Sequence, residues 1–323
     1  MKPAAWRSIL VAISDPARRS QPALRKAAAV AARCGARVTL FNAFMFPPPP
    51  HAARPMSSAA ILETARAQRL QQMETLARSM RKKGIKTRCR VEWDFPAHEA
   101  IVRCALKIKP DVMFADSTRH SAVARWLLAN TDWELIRACP CPLWFVKTPG
   151  LPDSPLFLTA VDPRHAHAKP ANLDARLLNE AQRGVRQLGG QLHIAHTYEP
   201  PMSTGSATFA EPFRLPLPPE RARRFERETR RLIDALARRH GVTPARRHLS
   251  VGDPVTVLPE LARKVKANVL VMGAVSRSRM HQAFIGNTAE KVIDHVACDV
   301  LIVKPARFRT SVARALPHLK TRR

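Results

Sequence analysis

The sequence predicts an α/β protein built as two tandem doubly wound domains, each with a five-stranded parallel sheet. Two observations carry this. Short continuous apolar runs, such as Ile9 to Ala12 and Val269 to Met272, alternate with longer stretches of helical periodicity. Uninterrupted apolar runs are what strands buried on both faces look like. The order of elements also occurs twice, and the later segments of the two copies align without a gap at one constant offset. Asn130 with Asn287, Ile136 with Ile293, Cys141 with Cys298, Val146 with Val303 and Lys147 with Lys304 are identical pairs on that register. An internal duplication sets the domain count. Strands alternating with helices of crossover length call for parallel sheets covered on both faces.

Taken in order, Trp6 to Ser14 reads as a strand closed by Asp15 and Pro16. The alanine-rich helix from Gln21 to Cys34 stops at Gly35, a residue suited to the left-handed position past a helix end. A second strand, Ala36 to Phe44, precedes the prolines 47–50, which continue neither helix nor strand. The long helix from about Ser57 to Lys83 places Ile61, Ala65, Leu70, Met73, Leu76 and Met80 at near-helical spacing. Ile85 to Trp93 alternates as a strand, Ala97 to Lys107 is a helix, and Asp111 to Ala115 is the fourth strand. A helix from Thr131 to Ala138 and a fifth strand, Leu143 to Val146, complete a first domain assigned to residues 1–150.

From Leu156 the programme starts again. Its first strand ends in Asp162 and Pro163, matching Asp15 and Pro16, and a helix from Pro170 to Leu188 is stopped by Gly189 and Gly190. A strand from Gln191 to Tyr198, a proline-rich insert at 199–219 and a long helix from Glu220 to His240 follow. Then come a strand from Arg246 to Val251, a helix from Pro254 to Lys266, a strand at 269–272, and a helix and strand ending at Val303. The second domain is assigned to residues 151–306, and 307–323 reads as a loosely held basic tail.

Composition narrows the function classes. The chain has 323 residues, 46% hydrophobic, enough for two cores. Its net charge of +29 favours polyanions, yet the basic residues are spread over both halves, and one Tyr with 5 Trp leaves few bases to stack on. Generic surface charge is the simpler reading of that excess. No apolar run reaches the roughly 20 residues of a membrane span. The first residues read as strand one without a cleavage site, so a cytoplasmic protein is expected. The 6 cysteines form no C-x-x-C pair, which suits reduced, buried thiols. A metal held by Cys139 and Cys141 lacks a nearby histidine, and the scattered His193, His196, His240 and His248 lack an acidic partner at ligand spacing.

The chemistry concentrates in 268–305. A buried strand ends at Gly273, the loop brings Arg277, Arg279 and His281, and Gly286, Asn287 and Thr288 open a helix. Backbone donors at a helix N-terminus together with arginines make an anion cradle, with phosphate the obvious anion. In doubly wound sheets ligands lie beyond the carboxyl ends of the strands, where strand order reverses. Asp162 and Gly273 both sit at such ends, and so share one crevice.

This stretch resembles the nucleotide loop of the universal stress protein family, G-x2-G-x9-G-[ST]. Here the pattern is Gly273, Ser276, Gly286 and Asn287, with Ser276 in the place of the second glycine and Asn287 in that of the final Ser or Thr. The resemblance extends over nearly the whole chain as two family domains. It implies the adenine nucleotide alpha hydrolase-like variety of flavodoxin-like sandwich, with the domains paired through their fifth strands and a homodimer left open. It also implies ATP or a related nucleotide as the ligand. Asp162 would lie on the adenine side, and Gly273, Ser276, Gly286, Asn287, Thr288 and Ala289 would hold the phosphates.

The first half carries Asp116, Arg119 and Ala129 at the loop positions of Gly273, Ser276 and Gly286. A carboxylate repels phosphate and a Cβ blocks close backbone approach, so that copy is expected to be structural. No Ser/His/Asp arrangement, Walker lysine or metal cluster is present in the sequence. A sensor or regulator in a stress response is expected rather than a catalyst, with weak ATP hydrolysis at most. Two other readings stay open. One is a carrier of an apolar ligand under the insert, whose Met202, Phe209, Phe213, Leu215 and Leu217 are too apolar for a plain solvated loop. The other is a nucleic-acid or polyanion binder driven by charge.

Overall fold

The computed structural model describes residues 5–45, 58–116, 130–164, 172–199, 202–205, 213–216, 218–274 and 287–314. In chain order the first half comprises β1 (Ser8–Ala12), α1 (Pro22–Cys34), β2 (Arg37–Phe44), α2 (Ser58–Arg81), β3 (Thr87–Trp93), α3 (Ala97–Ile108), β4 (Val112–Asp116), α4 (Asn130–Ala138) and β5 (Leu143–Val146). The second half comprises β6 (Leu156–Ala160), α5 (Leu173–Leu188), β7 (Gln191–Tyr198), β8 (Met202–Gly205), β9 (Phe213–Pro216), α6 (Pro219–Arg239), β10 (Arg247–Val251), α7 (Pro254–Lys264), β11 (Val269–Gly273), α8 (Asn287–His295) and β12 (Asp299–Val303).

Within each half every strand pairs in parallel with its neighbours, apart from β8 and β9 in the second. The ten form one sheet in the order β10-β7-β6-β11-β12-β5-β4-β1-β2-β3. Each half thus runs third, second, first, fourth, fifth strand from its outer edge. The halves meet through an antiparallel ladder that sets Phe145 against Val300 and Leu143 against Ile302.

Successive side chains of a strand point to opposite faces, and the core divides accordingly. Ile9 and Val11 join the cluster under α1, α2, α5 and α6, while Leu10 and Ala12 join the one under α3, α4, α7 and α8. Both clusters run through both halves. At the seam Trp144 is fully buried, stacked on Phe114 at 5.0 Å and edge-on to Trp6 and Phe157. Gly184 of α5 is required there, since a Cβ would lie 2.7 Å from the Phe157 ring.

The helix expected from about Pro170 is α5, described from Leu173, and residues 165–171 lie outside the described residues. Within the insert, β8 and β9 pair as two short antiparallel strands. Of the segment 307–323, residues 307–314 are described: Phe308 lies under the Lys304 ammonium at 4.6 Å, and Val312 packs on the second core cluster. Among the described residues, no helix is long and apolar enough to cross a membrane.

Candidate functional site

Strand order reverses in the second half between β6 and β11, which lie side by side with Thr159 opposite Val271. Continued, that register sets Val161 opposite Gly273, so Asp162 comes one residue later at the same carboxyl end of the sheet. Asp162 is only 5% exposed. Its backbone N–H donates to both carboxylate oxygens of Asp174, at 3.1 and 3.2 Å, which ties the turn after β6 to the first turn of α5. The Asp162 carboxylate itself is different. Neither oxygen meets a hydrogen-bond donor among the described residues. Buried polar groups are nearly always paired, because an unpaired one forfeits its hydration.

Gly273 has a packing reason of its own. A Cβ there would come within 2.8 Å of Leu173 Cδ2, so the glycine lets the first turn of α5 settle on the end of β11. Asn287, Thr288 and Ala289 form the first turn of α8, with Ala289 buried in the second core cluster, so Ala289 has only its backbone to offer a ligand. Ser276 and Gly286, with Arg277, Arg279 and His281, lie outside the described residues.

The structure adds residues that the sequence did not assign to this site. Arg164, two positions beyond Asp162, lays its guanidinium over the Phe225 ring at 4.0 Å and donates to Thr229 Oγ1 at 3.1 Å. Tyr198 packs on Phe225 at 5.6 Å and stacks with His196 at 6.2 Å, and the His196 ring pairs with the Val161 carbonyl. Together they join the ends of β6 and β7 to α6. The signal available was slight: Tyr198 is the one tyrosine of the chain.

In the first half, Asp116 stands where Gly273 stands in the second. Its Oδ1 accepts the backbone N–H of Ala23 at 2.6 Å, in the first turn of α1. Burial pushes this carboxyl up, and the Ala23 hydrogen bond pulls it back. A helix start that could receive an external anion is thus supplied with an internal one.

The model of the Universal stress protein family matches residues 5–147 and 170–304. Universal stress protein E of Escherichia coli strain K12 is 28% identical over 313 residues, covering 96% of this chain and 97% of that protein. The protein of the same name from Photorhabdus laumondii is 27% identical over 314 residues, covering 96% and 98%. Among solved structures, a functionally unknown protein from Pseudomonas aeruginosa PAO1 has a TM-score of 0.68 at 24% identity, covering 93% of each chain. A universal stress protein from Archaeoglobus fulgidus DSM 4304 has a TM-score of 0.63 at 17% identity, covering 94% of this chain and 97% of its own. At these identities the structural likeness speaks for the fold.

Proposed function

Because the chain belongs to the universal stress protein family, we propose that its second half binds ATP or a related adenine nucleotide as the sensing event of a stress response. The observation that carries this is the buried, unpaired carboxylate of Asp162 at the point where strand order reverses. Such a group needs a donor, and the exocyclic amine of adenine is a donor on a flat, largely apolar ring. Gly273, Ser276, Gly286, Asn287, Thr288 and Ala289 would line the phosphate side, with the amides at the start of α8 directed at the anion. The first half keeps the fold but carries its own carboxylate at the matching place, so we assign it a structural role, with domain boundaries at 1–150 and 151–306. The protein acts as a binder in the cytoplasm.

Two nucleotides and two variants test the reading by calorimetry. A charged hydrogen bond is worth about 1.5–3 kcal/mol, roughly ten- to a hundredfold in affinity. Wild type is expected to prefer ATP over GTP, whose ring carries a carbonyl where adenine has its amine. Asp162→Ala is expected to erase that preference, and Gly286→Val to weaken both nucleotides. Equal affinity of wild type for ATP and GTP, or an Asp162→Ala variant that still discriminates, would overturn the assignment.

A further inference from the structure

The nucleotide reading leaves one chemically distinctive cluster unused, the thiols of Cys139 and Cys141 at the end of α4. Their sulfurs are 3.6 Å apart, and Cys139 Sγ also lies 3.3 Å from the Cys141 carbonyl. They are 1% and 9% exposed. Pro140 and Pro142 flank Cys141, so the segment leaves the helix at a fixed angle without backbone N–H groups of its own at those positions. A disulfide sets its sulfurs about 2.05 Å apart, so this pair has roughly 1.5 Å to close.

The internal duplication supplies a control. On the register that aligns the two halves, Cys141 matches Cys298 but Cys139 matches Val296. Val296 and Cys298 are buried in the same core cluster as Cys139 and Cys141. Packing at this place is therefore satisfied by valine, and a second thiol beside the first is an addition specific to one half. The charge around it differs from the other thiols too. Lys304, from the end of β12, is buried there and donates to the Arg137 carbonyl at 3.3 Å. Hydrogen bonding from Cys141, together with the Lys304 charge, holds the Cys139 thiol below the usual range, against its burial. Burial pushes Cys89 and Cys104 up to about 12 and Cys298 up to about 11. Thiolate character, not mere presence, decides which thiol reacts.

We propose that Cys139 and Cys141 form a two-electron redox site whose co-reactant is a small hydroperoxide. The Cys139 thiolate attacks the terminal peroxide oxygen; the S–O bond forms as the O–O bond breaks, and the departing alkoxide takes a proton to leave as an alcohol, or as water when the oxidant is hydrogen peroxide. Cys141 then attacks the Cys139 sulfur. The S–S bond forms, the S–O bond breaks, and hydroxide leaves with the Cys141 proton as water. Two thiols are oxidised to one disulfide and one peroxide is reduced. An external dithiol reverses the change. Burial restricts the site to small oxidants. Because Lys304 comes from the other half, the reaction alters the charge balance where the two halves meet.

The test uses the full chain. Purified, reduced protein is treated with a few equivalents of hydrogen peroxide, unfolded in an alkylating agent, and mapped by peptide mass. The expected result is loss of two alkylatable thiols and a peptide lighter by two hydrogens that contains both Cys139 and Cys141. Cys139→Val, which copies the second half, is expected to fold and to keep its thiols at the same dose. Cys34→Ser and Cys89→Ser are expected to react as wild type does. The wild-type map decides the matter even if a variant fails to fold. Oxidation first at Cys34 or Cys89, a sulfinic or sulfonic acid in place of the disulfide, or full alkylation of both thiols would each overturn the proposal.

Discussion

Two buried aspartates of the second half have opposite surroundings. Asp299 accepts from the Lys26 ammonium at 2.5 Å, the Trp144 indole at 2.8 Å, the backbone amides of Lys147 and Thr148, and the Thr148 hydroxyl. All of these donors come from the first half, so Asp299 is a fastening between halves. Asp162 is buried to a similar degree and, among the described residues, has no donor of this kind. Removing one partner of a buried pair strands the other charge at a cost of about 3–5 kcal/mol. Asp299→Ala is accordingly expected to lower the unfolding free energy by about that much in urea titrations. Asp162→Ala is expected to leave stability unchanged or raise it, while it alters nucleotide choice. A fully stable Asp299→Ala variant would show that the seam does not rest on this carboxylate.

At the scale of elements, the outer edge of the second half carries a histidine pair. His193 of β7 and His248 of β10 stack at 5.2 Å, with ring nitrogens 3.0 Å apart. Burial, then the neighbouring charges of His248 and Arg246, push His193 down to about 4, and burial with Lys264 pushes His248 down as well. An unfolded histidine titrates near 6.5. As pH falls from about 6.5 toward 4, the unfolded chain therefore binds protons that the folded one refuses, and stability falls with it. The urea midpoint of wild type is expected to drop between pH 7 and pH 5. His193→Phe, which keeps a stacked ring, should drop less. Parallel pH profiles for the two proteins would exclude the pair as the source.

The seam governs the whole molecule. Both core clusters cross it, and Trp144 sits in its middle, touching residues of both halves. Domains that share a core do not unfold independently. Circular dichroism and tryptophan fluorescence are expected to report one coincident urea transition, despite the length of the chain. Two resolved transitions would mean that each half stands alone. The antiparallel ladder also fixes polarity: the carboxyl end of the first half's sheet lies beside the amino end of the second half's. The two crevices therefore open on opposite ends of one continuous sheet, and among the described residues the unpaired buried carboxylate, Asp162, lies at the second.

Much of this was readable from residue order. Strand β5 begins and ends where the apolar run Leu143 to Val146 does, the left-handed Gly35 and Gly189 close the helices they follow, and the duplication is plain in the pairs Asn130 with Asn287 and Lys147 with Lys304. These features are local: periodicity, punctuation and spacing are set by each residue's own backbone and its near neighbours. The pairing of β8 with β9 was not readable, since each strand has only four residues, follows directly on a proline and is too short to show alternation. Nor was the bond between Lys26 and Asp299, which are 273 residues apart, or Leu173 lying over Gly273, or Asp116 closing the start of α1. The sequence by itself determined the strands and helices of the repeated unit, that the unit occurs twice, and which family it belongs to. Only the tertiary structure decided which carboxylates are paired and which thiols touch, because burial and hydrogen bonding depend on residues that the chain brings together from far apart.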